Sequence, residues 1–462
     1  MPPFLFKRLT TPLDLLMPRD AKATVGAPAG VSDILRAQWG NPSDVLSVLL
    51  LLGPDTVQRA VAQLAGRVVV PVAFSFGWVA YASSALLKTF GDGRLMPDAD
   101  MANTCVIGAR GVDYNLGGHS RNTNNWVLGR LLRDENDRVD ADMRHEQAHV
   151  PPAATEEIHQ APPPSYFETK SKAPQWEALR VTVYDVDDNP PQPHGVPTLD
   201  LVWYSGVTVV IIQLAVSIIP WAVNDDWGTF LITAAGNVLS LISASLPKWR
   251  DEKWSCPKPP KGGATITITQ GNGSRHAIVI LGKRGVGLDL EILALGTRTA
   301  TPDLLTKIMS GVLAFMWIVL LITVAGLEGN SWYLLGVGLL GSIQNLYAAG
   351  APRKPSAFSI HLKYRETIHN TLVAAVLKEV EDKYPTVGTS LVSVFFPGAL
   401  RVKGDDLVFW RRAFAAKKAP NKYGTRIDYD DGAIAAELER KQQLSDEIRE
   451  VEVTEMPGNT KG

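Results

Sequence analysis

Four uncharged runs dominate the hydropathy pattern of this 462-residue chain. Tyr204 to Val223 leads through the polar turn Asn224-Asp225-Asp226-Trp227-Gly228 into a second run, Thr229 to Leu246. Residues 308–326 and 332–349 repeat the plan around Leu327-Glu328-Gly329-Asn330-Ser331. About 20 apolar residues rising 1.5 Å each match a bilayer core about 30 Å thick, so the pattern predicts two membrane hairpins, 204–246 and 308–349. A fifth run, Val68 to Leu87 within segment 67–88, reads as a single span. It has Pro71 near its start, Gly77, Ala80 and Ser84 for close packing, and Lys88 at its exit. In the N-terminal segment 1–66, Ser43-Asp44 can cap the apolar run Val45 to Leu52, and Gly53-Pro54 breaks it. Val57, Ala60, Val61 and Leu64 then share a helical face. Asp55 and Arg59 make a central span costly there, so 44–66 reads as interfacial or re-entrant, with a sixth span as the alternative.

The hairpins align with each other at a constant offset of 105 residues. Trp227, Gly236, Ala244 and Pro247-Lys248 coincide with Trp332, Gly341, Ala349 and Pro352-Arg353. Two readings fit. One is a duplicated unit in parallel orientation. The other is that any hairpin places an interface Trp, a packing Gly and a Pro-basic exit at these points.

Between and after the spans the periodicity changes. Trp126 to Arg133 reads as a short amphipathic helix, and 134–174, charged and then Pro-rich, as disordered. Leu179 to Val186 alternates as a strand does, and so do Ala264 to Thr269 and His276 to Leu281 on either side of Gly271-Asn272-Gly273. Leu288 to Leu295 fits a third strand or a short helix. One hairpin is marginal in water, so residues 179–186 and 264–281 are expected in one sheet, with Val181 and Val183 on the face of Ile266 and Ile268. In the tail, 350–462, the spacing predicts a helix over Ile360 to Lys383. A short apolar stretch ends at Phe395-Phe396-Pro397-Gly398, basic pairs follow at Arg411-Arg412 and Lys417-Lys418, and the chain is expected to be partly disordered after 430. The fold class this gives is an α-helical polytopic membrane protein with about five transmembrane helices, a small cytoplasmic β-sheet and a cytoplasmic helical tail.

Charge sets the expected topology. Loop 247–307 holds ten Lys and Arg against five Asp and Glu, both hairpin tips carry acid and no base, and Arg353, Lys354, Lys363 and Arg365 follow the last span. Positive charge collects on the cytoplasmic side, which puts this loop, loop 89–203 and the C-terminus there, in either the plasma membrane or an endomembrane. Trp203, Trp221, Trp227, Trp249 and Trp332 flank the spans as an aromatic belt would. A net charge of −1 gives no nucleic-acid footprint. Two cysteines, Cys105 and Cys256, are too few for a disulfide framework or a thiolate metal cluster. Lys7, Arg8, Asp14, Arg19 and Asp20 interrupt any secretory signal.

Four stretches carry a resemblance: Pro71-Val72-Ala73-Phe74-Ser75-Phe76-Gly77-Trp78-Val79-Ala80-Tyr81, Asn125 to Arg133, Gly271-Asn272-Gly273-Ser274 and Phe395-Phe396-Pro397-Gly398. Together they resemble an uncharacterised family of polytopic membrane proteins in filamentous fungi. The resemblance covers most of the chain and implies a fungal integral membrane protein, an accessory of a metabolic gene cluster, with no activity or catalytic residue to carry over.

Motifs for chemistry are few. His145-Glu146-Gln147-Ala148-His149 matches the H-E-x-x-H zinc pattern, but Val150-Pro151-Pro152 follows at once and no third ligand is preorganised, so it reads as a chance match. Asn272-Gly273-Ser274 is a glycosylation sequon on the expected cytoplasmic side and is expected bare. Gly282 to Gly287 lacks phosphate-loop spacing and reads as a turn. The spans contain only neutral polar residues: Gln213, Ser217, Asn237, Ser240, Ser310, Thr323, Gln344 and Asn345. They are expected either to bond between helices or, for Asn237, Gln344 and Asn345, to line a polar path. The absence of ionisable residues there argues against ion-coupled transport. Gly236, Ser240 and Ala244, and Gly338 with Ser342, form small-residue ridges for helix packing. The sequence thus points to a non-enzymatic structural or interaction protein with no cofactor and no metal. Its expected partners are the lipid bilayer and a protein docked on the cytoplasmic loops or tail; a channel or transporter is the alternative, and a zinc hydrolase at residues 145–149 the least supported.

Overall fold

The computed structural model describes residues 53–91, 94–100, 104–109, 120–148, 177–256, 264–296, 304–327, 330–398, 400–402 and 405–418. The expectations for residues 1–52, His149 to 174 and the tail beyond 418 lie outside them.

The uncharged runs form helices: α4 (Leu201–Asn224), α5 (Gly228–Ala244), α8 (Leu304–Ala325) and α9 (Ser331–Gly350). Asp200 caps α4 by accepting from the Trp203 N–H, and Asp225 ends it in the left-handed region. Among the described residues, three helices are long and apolar enough to cross a membrane: α4, the stretch Gly228–Lys253 that includes α5 and the short α6 (Pro247–Lys253), and α8. The 20-residue α9 is uncharged but carries Gln344, Asn345 and several glycines. The two tips are tied together, with Asn224 Nδ2 donating to Asn330 Oδ1 (3.1 Å) and Asn330 Nδ2 to Asp226 Oδ2 (2.8 Å).

Val68 to Leu87 is not one helix. Residues 69–75 are irregular, and helix α2 (Gly77–Phe90) begins only after them. Its 14 residues reach about 21 Å, short of a bilayer core of about 30 Å. The cause is local: β-branched Val68, Val69 and Val70 precede Pro71, which lacks an N–H and biases the residue before it away from helix. Helix α1 (Pro54–Leu64) precedes the break, and a Cβ on Gly77 would lie 2.5 Å from Gly53 Cα. The starts of α1 and α2 therefore meet. Helix α1 packs along α9 and α2 along α8, while α4 packs against α5 and α9.

A six-stranded sheet caps one end of these helices. Its strands are β1 (Cys105–Ala109), β2 (Ser120–Asn122), β3 (Leu179–Val186), β4 (Thr265–Thr269), β5 (His276–Leu281) and β6 (Leu362–Asn370), in the order β2-β1-β4-β5-β3-β6. Residues 179–186 and 264–281 do share one sheet, with β3 parallel to β5 and β4 antiparallel to it. The expected face is corrected by the register, which sets Val183 opposite Val279, and Val279 opposite Thr267. Val181 and Val183 therefore share a core with Ala277, Val279 and Ile107, whereas Ile266 and Ile268 pack on the other face.

Helix α3 (Trp126–Ala148) covers that other face. It continues 15 residues beyond the expected Arg133, through a segment read as disordered. Buried Asp134, Glu135, Val139 and Met143 give it an inward stripe. The helix expected over Ile360 to Lys383 is half strand: β6 pairs with β3, and only α10 (Val373–Lys383) is helical. Helices α10, α11 (Val387–Phe395) and α12 (Asp405–Lys418) pack on the Val181–Val183 face. Leu290–Leu295 is helix α7, capped by Asp289. Gly271 and Gly273, and then Gly285 and Gly287, take positive φ in the two expected turns.

Candidate functional site: an unwound segment held by buried amides

Helices satisfy their own backbone, but residues 69–76 do not form one, and each buried N–H or C=O left open costs free energy. In a membrane such backbone is tolerated only where protein surrounds it. Here the partners are amide side chains. Gln213 and Asn237 lie at the middles of α4 and α5, and Gln344 and Asn345 on α9. The Ala73 N–H donates to Gln344 Oε1 and the Phe74 N–H to Asn237 Oδ1, each at 3.2 Å. Gln213 Nε2 donates to the carbonyls of Phe74 and Val337, each at 2.8 Å. The Ala73 carbonyl accepts from Trp78 Nε1 (3.0 Å) and Asn345 Nδ2 (3.3 Å), and Asn345 Nδ2 also donates to Ser75 Oγ (3.0 Å). Across Pro71, the Val72 N–H closes onto Val70 O at 2.9 Å.

The glycines admit the segment. A Cβ on Gly341 would collide with the Phe74 carbonyl, and one on Gly236 would sit 2.5 Å from the Phe74 ring. Gly338 faces Phe76 in the same way, and Gly206 faces Pro71. Gly236 and Gly338 thus lie against this segment rather than against a neighbouring helix. Ser240 is buried, and Ser342 turns its hydroxyl back to Gly338 O at 3.0 Å. The rings of the segment fill the interior: Phe74 stacks on Trp317 (6.1 Å between centroids), Trp317 stacks on Trp78 (5.7 Å), and Phe76 meets Phe74 edge-on (5.6 Å). Asn237, Gln344 and Asn345, expected along a path, are brought together on the backbone of Ala73 and Phe74. Sequence reasoning placed Gln213 among the span residues but not among these three. Its central position between two apolar halves was the available signal.

A second polar layer seals the sheet end of the helices. The last carbonyls of α9 are taken by Arg130 (to Ala349 O), Arg133 (to Gly350 O, 3.1 Å) and Gln63 (to Ala351 O, 3.1 Å). Lys253 Nζ donates to Gln63 O (3.1 Å) and Ala65 O (2.8 Å), and Arg353 Nη1 to Gln63 O (2.5 Å). The guanidinium groups of Arg353 at the end of α1 and of Arg130 and Arg133 at the end of α9 complement the negative poles of both helix dipoles, while burial and the neighbouring Arg353 hold the Lys253 amine well below the usual lysine range. Their counter-charges are Asp200, bidentate with Arg353 (2.6 and 2.9 Å), and Asp100, 2.9 Å from Arg130. Asp134 accepts from the Arg353 N–H (2.9 Å). Burial pushes the Asp100 and Asp134 carboxyls above the usual carboxylate range, against the pull of the neighbouring arginines. Trp249, expected in the interface belt, is buried here, whereas Trp221, Trp227 and Trp332 are exposed near the tips.

In the sheet, His276 Nδ1–H donates to Asn136 Oδ1 (2.8 Å), and its Nε2 faces the Thr182 hydroxyl at 3.0 Å. Burial, reinforced by Arg138 and Arg180, lowers its pKa to about 3. It is a neutral bridge between α3 and the sheet.

Among the described residues, no group of three or more His, Cys, Asp or Glu side chains could hold a metal ion. Residues 145–148 form the last turn of α3, and His149 lies outside the described residues. Cys105 and Cys256 are buried and are not joined in a disulfide. No known family, curated protein or solved structure matches the chain.

Proposed function

We propose that the protein is a non-enzymatic membrane anchor that holds a sheet domain rigidly against the bilayer for interaction with a partner protein. The observation that carries this reading is the use of the mid-helix amides. Gln213, Asn237, Gln344 and Asn345 each hydrogen-bond to the backbone of Ala73 or Phe74, and Phe74, Phe76, Trp78 and Trp317 occupy the space a passage would need. In this reading α4, α5, α8 and α9 cross the bilayer. Helix α1 lies alongside with its end on the sheet side, and residues 65–90 enter from that side and return to it, in place of a fifth span. The basic excess of loop 247–307 puts the sheet side in the cytoplasm. The partner would meet the outer layer α10–α12 or the edge of β6, whose outward residues include Lys363, Tyr364 and Arg365.

Two measurements test it. Sealed liposomes holding the purified protein should release ions and small polar solutes no faster than protein-free vesicles. Flux above that level, abolished by Asn345→Leu, would establish the transport reading instead. Single cysteines placed at Asn272 and Arg411, in a chain lacking Cys105 and Cys256, should react with an impermeant maleimide only after cells are permeabilised. A cysteine at Asn224 should react in intact cells. Labelling of all three in intact cells would exclude a cytoplasmic sheet.

A further inference from the structure

Between the first turns of α1, the end of α2 and residues 94–100 lies an open groove of about 510 Å³. Its walls carry three cations, Arg59, Lys88 and Arg94, and three carboxylates, Asp55, Asp98 and Asp100. Most of these are committed. Arg59 pairs with Asp55 (3.0 Å) and Asp100 (2.8 Å), and Arg94 donates to Gly296 O. Lys88 and Asp98 have no ion-pair or hydrogen-bond partner among the described residues, so the groove offers one free charge of each sign. It opens where the helical unit meets the sheet end. On either side of Lys88, Leu87 and Phe90 project outward, 75% and 58% exposed. Two large apolar side chains beside a free lysine at a helix end are what an interface with acyl chains and headgroups requires.

We propose that this groove binds the headgroup of a phosphoethanolamine phospholipid, with the phosphate on Lys88 and the primary ammonium on Asp98. The balance of charge gives an anionic headgroup no net field to follow. A primary ammonium can donate hydrogen bonds to a carboxylate, whereas a quaternary choline is held by aromatic faces, and no aromatic side chain lines this groove among the described residues. One zwitterion thereby offers a partner to both Lys88 and Asp98.

The test uses the purified full chain in neutral detergent with equimolar phosphatidylethanolamine, phosphatidylcholine and phosphatidylglycerol, and counts retained lipids by native mass spectrometry. Phosphatidylethanolamine should be retained over phosphatidylcholine by on the order of fivefold, as two charge-assisted contacts at a half-exposed site allow. Lys88→Gln and Asp98→Asn should each bring that ratio close to one, and Lys354→Gln, at an exposed position on the same side, should leave it unchanged. Circular dichroism and gel-filtration profiles matching the parent confirm that the variants are folded. Equal retention of the three lipids by the parent, or an undiminished ratio in both groove variants, would overturn the proposal. So would efficient displacement by water-soluble glycerophosphoethanolamine, which would make the ligand a free metabolite rather than a membrane lipid. The readout needs no partner and no vesicle interior, so its failure leaves the anchoring reading standing, and flux or reversed labelling leaves the lipid preference standing.

Discussion

Replacing Gln213 by Met keeps the side chain's length and removes its donor. The Phe74 carbonyl then loses its only hydrogen bond among the described residues, and the Val337 carbonyl loses its second, keeping the helical one. Leaving a buried carbonyl open costs about 1–3 kcal/mol. Two effects reduce this. Gln213 Oε1 has no hydrogen-bond partner, so its removal relieves one cost. Interhelical hydrogen bonds in membrane proteins also average only about 0.6 kcal/mol, because the unfolded chain in the membrane finds partners too. The Phe74 carbonyl differs from that average in belonging to non-helical backbone with no second donor among the described residues, so a net loss of about 1–2 kcal/mol is expected, roughly a tenfold shift in the unfolding equilibrium. Reversible unfolding in mixed micelles, followed by tryptophan fluorescence, reads it, since Trp78 and Trp317 stack beside Phe74. Ser217→Ala, which removes only a local bond to Leu214 O, is the control. The double variant with Asn237→Leu should cost less than the two singles added together, because Asn237 grips the N–H of the same residue whose carbonyl Gln213 holds. Unfolding of Gln213→Met indistinguishable from the parent would refute the claim that amides hold this segment in place.

Three further outcomes are expected. Gly236→Leu should lower the folded yield more than Leu239→Ala, because the new side chain must enter the Phe74 ring while the deletion only opens a cavity at a buried leucine; equal yields would count against the close approach. Val183→Lys and Thr182→Lys should both raise hydrogen exchange in β5, since Thr182 is as buried as Val183 and meets His276, whereas Tyr364→Lys at an exposed edge position should be mild; a silent Thr182→Lys would show that the α3 face of the sheet is open. His276 binds a proton near pH 6.5 when unfolded and only near 3 when folded. Its stabilising contribution is therefore complete above about pH 6.5 and lost as pH falls, amounting to about 2 kcal/mol by pH 5. His276→Gln should flatten the stability profile over that range, and an unchanged slope in denaturant titrations would mean that the imidazole is hydrated in the fold.

What the sequence disclosed followed the reach of each signal. The four uncharged helices were legible because their signal is summed over about 20 residues and opposed by nothing. Val68 to Leu87 had the same composition, but a window average does not register Pro71 or the valines before it, and the partners that make irregular backbone tolerable sit on helices 130 and more residues away in the chain. The strands of residues 179–186 and 264–281 were legible from alternation, yet which face each would present depended on a parallel pairing that no local pattern encodes. Residues 362–370 carry a single fully buried apolar side chain, Ile368, so their strand exists only through β3. Residues 134–148 looked too charged to pack, but Asp134, Glu135 and Asn136 face inward to Arg353, Tyr184 and His276, and charged residues with buried partners leave no hydrophobic period to detect.

The offset of 105 residues between the hairpins takes on a physical meaning at residues 73–75. Asp225 and Asn330 correspond, and both adopt the left-handed conformation, with φ of 55° and 56° and ψ of 21° in each. Gly236 and Gly341 correspond, and both lie against Phe74, one against its ring and the other against its carbonyl. At the neighbouring positions the copies differ in a complementary way. Asn237 holds the Phe74 N–H, while its counterpart Ser342 bonds back to its own helix at Gly338 O. Asn345 holds the Ala73 carbonyl, while its counterpart Ser240 bonds back to Asn237 O. One segment cannot present the same groups to two symmetric walls: an N–H faces one hairpin where a ring or a carbonyl faces the other. A pair of like hairpins enclosing a single asymmetric segment must therefore become unlike where they touch it and can stay alike elsewhere. The second hairpin accordingly spreads to place α8 on α2 and α9 on α1, while α4 and α5 stay packed together. Apart from the glycine pair Gly236 and Gly341, the residues that coincide lie at the tips and exits, and the polar residues that differ lie on the segment, which is the distribution expected if one hairpin was used twice and then fitted around residues 69–76.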